Sequence, residues 1–159
     1  MSCSEQQHYF MREALALANL SVQQGGGPFG AVVVQDGQII ARGNNSVTAS
    51  KDPTAHAEME AIRQACQQLD NFSLSGCDLY VSCEPCPMCM AAAYWARIRR
   101  IFYAATRDEA AAVGFDDALI YKEVCLLPEQ RYLTMLQCLP EEASLPFATW
   151  VAKADKISY

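Results

Sequence analysis

From residue 5 to about residue 24, apolar positions recur at helical spacing, with no Pro or Gly between them. Phe10, Ala14, Leu15, Leu17, Ala18 and Val22 supply the stripe, and the segment predicts a first helix. Gly25-Gly26-Gly27-Pro28 stops it. Phe29 to Val34 is then a continuous apolar run, Asp36-Gly37 is a turn signal, and Gln38 to Gly43 returns, which together predict a hairpin. Polar residues from Asn44 to Pro53 read as a loop. From His56 to about Leu69, Met59, Ile62, Ala65, Cys66 and Leu69 predict a second helix with Cys66 as core. Asp78 to Ser82 predicts a third strand that ends at Cys83. Met88 to about Ala96 predicts a third helix, opened by Pro87 near its first position. Arg100 to Ala105 predicts a fourth strand, and residues 107–112 a short helix that ends before Gly114. Phe115 to Tyr121 has no clear period, weaker elements follow to residue 140, and Pro146 to about Lys156 predicts a last helix.

Strands alternating with helices favour crossover connections and a sheet covered on both faces. The hairpin makes its first pair antiparallel. The expected fold is therefore α/β, with three α/β/α layers and a mixed central sheet of about five strands. The chain has 159 residues, enough for a single domain over 1–159. It shows no repeat and no linker.

Charge narrows the partners. Lys plus Arg number 12 against 18 Asp plus Glu, a formal net charge of −6. Nucleic-acid affinity rests largely on cations that neutralise phosphates, so no nucleic-acid partner is expected. Arg97, Arg99 and Arg100 form the basic cluster and read as a solvated loop. No stretch is long and apolar enough to span a membrane. The N-terminal residues lack an apolar signal core, so a cytoplasmic location is expected. In a reducing compartment the 8 cysteines read as metal ligands before disulfides.

The chemistry concentrates in two short stretches, His56-Ala57-Glu58 and Pro85-Cys86-Pro87-Met88-Cys89. One imidazole and two thiolates, from His56, Cys86 and Cys89, can hold a zinc ion and leave its fourth position to water. Glu58 is then free to move protons. On a helix wall His56 and Glu58 would diverge, but in a first turn side chains lean towards the N-terminus and both can reach one point. The H-x-E…P-C-x-x-C spacing matches a known pattern of zinc-dependent nucleobase deaminases. Two alternatives stay open. Cys83 could complete a closed zinc knot, or the C-x-x-C-x-x-C run from Cys83 could hold an iron–sulfur cluster. Neither gives Glu58 a role, and the same holds for a non-catalytic zinc-binding dimerisation module.

The runs GGGPFGAVVV, KDPTAHAEMEAIR, SCEPCPMC and AAYWARI resemble the cytidine-deaminase superfamily in its purine and tRNA-adenosine branch. The segment Ala112 to Tyr121, with Gly114-Phe115-Asp116-Asp117, is similar to the bacterial guanine deaminase family, and the similarity spans essentially the whole chain. The resemblance implies one zinc per subunit on His56, Cys86 and Cys89, with Glu58 as proton shuttle. It implies that Phe29 and Trp95 line a base pocket, Asn45 hydrogen-bonds the base and Asp117 recognises its edge. It further implies a homodimer that exchanges a C-terminal segment, about 125–159, so that Tyr159 reaches the partner's pocket. The implied reaction is hydrolytic deamination of guanine to xanthine and ammonia. A tRNA wobble-adenosine deaminase, or a deaminase of guanosine or another aminopurine, would share the metal motif. Read without the resemblance, Phe29 is core, Asn45 a turn residue, Trp95 packing, Asp117 a helix cap and Tyr159 a frayed end.

Overall fold

A computed structural model describes residues 3–159. One compact unit ends at Ala118 and a second spans Leu119–Tyr159. In the first, helix α1 (Glu5–Gln23) is followed by strands β1 (Gly30–Gln35) and β2 (Gln38–Asn44). Then come α2 (Val47–Ser50), α3 (Ala57–Gln68), β3 (Asp78–Cys83), α4 (Pro87–Trp95), β4 (Arg100–Ala105) and α5 (Arg107–Ala112). Ser4 starts α1 with a capping box: its hydroxyl accepts from the Gln7 N–H while the Gln7 side chain accepts from the Ser4 N–H.

The strand order is β2-β1-β3-β4. β1 is antiparallel to both neighbours, and β3 runs parallel to β4. The sheet is mixed, as expected, and has four strands among the described residues rather than about five. The later segment that left room for a fifth is helical or irregular instead. Because β1 alone is reversed, β2, β3 and β4 all point one way. The helices that follow them, α3, α4 and α5, must therefore begin along one edge of the sheet.

β1 alternates its side chains between two cores. Val32 and Val34 join Phe10 and Ala14 of α1 and Tyr80 of β3 on one face. Ala31 and Val33 join Ala57, Ala61, Ile62 and Ala65 of α3 and Ala93 of α4 on the other. The α1 stripe is narrower than the sequence suggests. Phe10, Ala14, Ala18 and Ser21 are buried, whereas Leu15 and Val22 are exposed because they fall on the outer side of the helix. On the opposite face, Gly43 of β2 lets the first turn of α3 lie against the strand, since a Cβ there would meet the Ala57 carbonyl oxygen at 2.1 Å.

Two of the clustered arginines are paired. Arg99 and Arg100 each make a two-pronged contact with the buried Asp78 at the start of β3, at 2.6–3.1 Å. Arg97 lies over the Phe72 ring, 5.7 Å from its centroid. Cys66 is half-buried against the α3 core, short of the full burial expected.

The second unit holds α6 (Ala118–Val124, starting one residue earlier), a 3-10 turn at Pro128–Gln130 and α7 (Leu145–Ala152). No residue from Leu119 to Tyr159 is buried. Large apolar side chains stand open along it, among them Tyr132 (87% exposed), Leu136, Phe147 and Tyr159. No helix of the described residues is long and apolar enough to cross a membrane.

Burial would push the Asp78 carboxyl up, but the hydrogen bonds and charges of Arg100 and Arg99 outweigh it and hold the group below the usual carboxylate range. A depressed folded value contributes stability above the unfolded pKa of about 3.9, and that contribution fades as pH falls through the folded value. Asp78→Asn should therefore unfold more easily than wild type above pH ~5, by roughly 1–3 kcal/mol. The gap should narrow in urea titrations as pH falls below the unfolded pKa of about 3.9. An equal gap at both pH values would show that charge is not what holds this corner.

Candidate active site

The shared sheet edge brings the two motif stretches together. His56 is the N-cap of α3 and Cys86 the N-cap of α4, both extended, and neither side chain caps its own helix. N-cap positions usually carry Ser, Thr, Asp or Asn to satisfy the first N–H groups. Here both side chains are turned to each other. His56 Nδ1 lies 3.6 Å from the Sγ of Cys86 and 3.6 Å from the Sγ of Cys89. Nδ1 and the two Sγ atoms all fall within 4.8 Å of one another.

That geometry tests the metal. Tetrahedral zinc with bonds of about 2.0–2.1 Å to nitrogen and about 2.3 Å to sulfur sets a nitrogen and a sulfur ligand about 3.6 Å apart. Both observed separations agree. The donor set is borderline-soft, as zinc prefers. Electrostatics agree as well. A hydrogen bond from Cys89, with help from His56, outweighs burial and draws the Cys86 thiol down to about 4. The same bond, with burial, pushes Cys89 up, and the Cys86 contact raises His56. A Cys86 thiol drawn down in this way favours the thiolate form that zinc takes, and the N-termini of α3 and α4 add positive dipole ends.

Cys83 stands apart. Its thiol donates to the Thr106 carbonyl oxygen at 3.6 Å, and burial pushes it up to about 11. It is not among the grouped ligands, which argues against a closed knot and a three-cysteine cluster alike.

Glu58, in the first turn of α3, is 8% exposed and lies beside the ligands without joining them. Burial pushes its carboxyl up, so it holds a proton more readily than a surface glutamate. Asn45, also 8% exposed, follows β2. Its Oδ1 accepts from the Gly27 and Val47 N–H groups at 3.3 and 3.4 Å, and its N–H donates to the Phe29 carbonyl at 3.1 Å. Phe29 packs partly on the α3 core and partly, edge to face at 4.9 Å, on Phe115. Phe115 has no assigned role in the sequence reading, although it lies inside the Gly-Phe-Asp-Asp segment that drew attention.

Burial, and after it the charge of Cys86, raises the Asp117 carboxyl, against its own backbone N–H and the charge of Arg107. Its neighbour also holds the start of α6, since Asp116 Oδ1 accepts from the Ala118 N–H at 2.9 Å. Trp95 is placed elsewhere. It ends α4, 66% exposed, about 13 Å of helix beyond Cys86 and about 9 Å beyond Cys89. Tyr159 lies at the exposed end of the second unit.

A carboxylate held beside an imidazole and two thiols, all at helix starts on one edge of a mixed sheet, is suited to metal-assisted hydrolysis in the manner of a deaminase. The sequence pattern of the cytidine and deoxycytidylate deaminase zinc-binding region matches residues 4–105, and the chain belongs to that family. Over 151 residues it is 52% identical to a guanine deaminase of Bacillus subtilis, covering 94% of this chain and 97% of that one. A crystal structure of the Bacillus subtilis guanine deaminase superposes with a TM-score of 0.93 at 51% identity, over 96% and 98% of the two chains. A tRNA-specific adenosine deaminase of Aquifex aeolicus is 46% identical, over 61% of this chain and 64% of that protein.

Because Glu58 lies outside the ligand group, Glu58→Ala should keep one zinc per chain by metal analysis and lose about 10²–10⁴-fold in turnover. Cys86→Ser should lose the metal itself. Zinc lost together with activity in Glu58→Ala would make Glu58 a ligand and overturn its role as proton carrier.

Proposed function

We propose that the protein deaminates guanine hydrolytically, giving xanthine and ammonia. The observation that carries this reading is Asp117, a half-buried carboxyl that feels the charge of the metal-site residue Cys86. An ionised carboxylate only accepts hydrogen bonds, and guanine presents ring and exocyclic N–H donors together on one edge. Adenine mixes a donor with acceptors there and matches a carboxylate poorly. Asp117 also lies beyond residues 4–105, the part covered by the family pattern. The net charge of −6 further disfavours an RNA substrate.

His56, Cys86 and Cys89 would hold zinc. Bound there, zinc acts as a Lewis acid and lowers the pKa of water from 15.7 to about 7. Glu58 takes a proton from the attacking water and passes it to a ring nitrogen. It takes the second proton and delivers it to the amine, which leaves as ammonia while the ring carbon keeps the water oxygen. The Phe29 face, braced by Phe115, gives the planar base an apolar wall. Asn45 offers its side-chain amide to the base.

The working unit in this reading is a homodimer that exchanges the C-terminal segment. The run of exposed apolar side chains from Leu119 to Tyr159 supports it, since so much open apolar surface marks an interaction site. The division of the chain after Ala118 supports treating the C-terminal part as a separable segment. Tyr159 of one chain would reach the base pocket of the other.

An ammonia-release panel of guanine, guanosine, adenine, cytosine and a tRNA anticodon stem should single out guanine. Preference for the anticodon stem would replace this reading with the wobble-adenosine one. Asp117→Asn should lower kcat/KM for guanine by roughly 10- to 100-fold without lowering Tm. Unchanged turnover would remove Asp117 from the site.

Deleting Ser158 and Tyr159 should cut activity by about tenfold or more while gel filtration still shows a dimer. Full activity in that truncation would return Tyr159 to an ordinary chain end.

A further inference from the structure

Ser21 is a polar residue at a core position. It continues the spacing of Phe10, Ala14 and Ala18 along α1, where an apolar side chain would be expected, and it is 0% exposed. Its hydroxyl donates to the Asn45 carbonyl oxygen at 2.9 Å, across 24 residues of chain. The Ser21 carbonyl in turn accepts the Gly26 N–H at 2.8 Å. Gly26 is pressed into the same junction, since a Cβ there would lie 2.4 Å from the Asn45 carbonyl oxygen and 2.5 Å from Ser21 Oγ. Thr48 adds a stitch from its hydroxyl to the Gly25 carbonyl at 3.0 Å.

The consequence falls on the Asn45 side chain. Its N–H goes to Phe29, its carbonyl to Ser21, and its Oδ1 to Gly27 and Val47. With two N–H donors on one side of the amide, that side must be oxygen. The Nδ2 amide is left, among the described residues, without a protein acceptor. Asn45 is therefore fixed as a donor, suited to a carbonyl or ring-nitrogen acceptor of a purine.

We propose that Ser21 is a positioning residue for base binding: its buried hydroxyl clamps the Asn45 main chain so that the side-chain amide is presented to the base in one orientation. The inference rests on the reading of Asn45 as a base contact. Ser21 touches neither the base nor the metal ligands and acts through Asn45. Removing its hydroxyl leaves the Asn45 carbonyl buried with one fewer donor and frees the loop to shift.

The test is a double-mutant cycle on the full-length, zinc-loaded protein, read with whichever purine the wild type deaminates fastest. Ser21→Ala should raise KM about tenfold with kcat within about twofold of wild type and one zinc per chain. In an Asn45→Ala background, adding Ser21→Ala should change KM no further. Should Ser21→Ala fail to fold, Ser21→Cys, similar in size and a weaker donor, carries the same cycle with a smaller rise. Additive effects on KM, or a loss confined to kcat, would overturn the proposal. A fastest substrate other than guanine would sink the guanine reading while leaving the cycle able to judge Ser21.

Discussion

Two helices have to begin at one point, and most of the molecule follows from that. His56 and Cys86 are N-caps that cap nothing, and their side chains meet at 3.6 Å across the start of α3 and α4. The meeting is possible because β2 and β3 run the same way, with the reversed β1 between them. Gly43 completes it by letting the first turn of α3 lie on β2. The cost is two helix starts without side-chain caps, each worth about 1 kcal/mol in an ordinary helix. In exchange, positive dipole ends face the thiolates.

Reaction and substrate choice are written in different parts of the first unit. The metal ligands and Glu58 come from the edge where helices follow parallel strands, and they decide that an amine can be hydrolysed. Asn45, Phe29 and Asp117, the residues proposed to read the base, sit on loops. These loops are stitched down by contacts that look merely structural: Ser21 to Asn45, Phe115 to Phe29, and Asp116 to Ala118. Such an arrangement lets one catalytic core serve different bases through loop changes. It accords with relatives that act on guanine in one case and on tRNA adenosine in another.

The second unit obeys a different constraint. Its helices bury no residue, and its apolar side chains remain open from Leu119 onward. Short helices of this kind gain most of their stability from packing an apolar face. The proposed second copy of the chain would cover this surface economically, because closed two-fold pairing covers both copies at once.

Much of this was legible in the chain itself. The hairpin, the helix starts at His56 and Pro87, and the strand ending at Cys83 follow from turn chemistry and period, which are local. The three ligands and Glu58 follow from residue types at spacings that only a first helical turn can reconcile. Other features required the fold. A helical period shows which positions share a face but not which of them are covered, so Leu15 and Val22 passed for core while Ser21 went unnoticed. The solvated reading of Arg99 and Arg100 ignored Asp78, which lies 21 and 22 residues away and meets them only through strand pairing. Trp95 stands at the far end of the helix that follows Cys86, a position that local spacing does not relate to a pocket. Sequence determined the chemistry, because metal ligation depends on residue type and short spacing. Tertiary structure decided which polar groups hold the loops around Asn45 and Phe29, because those contacts join residues that nothing local relates.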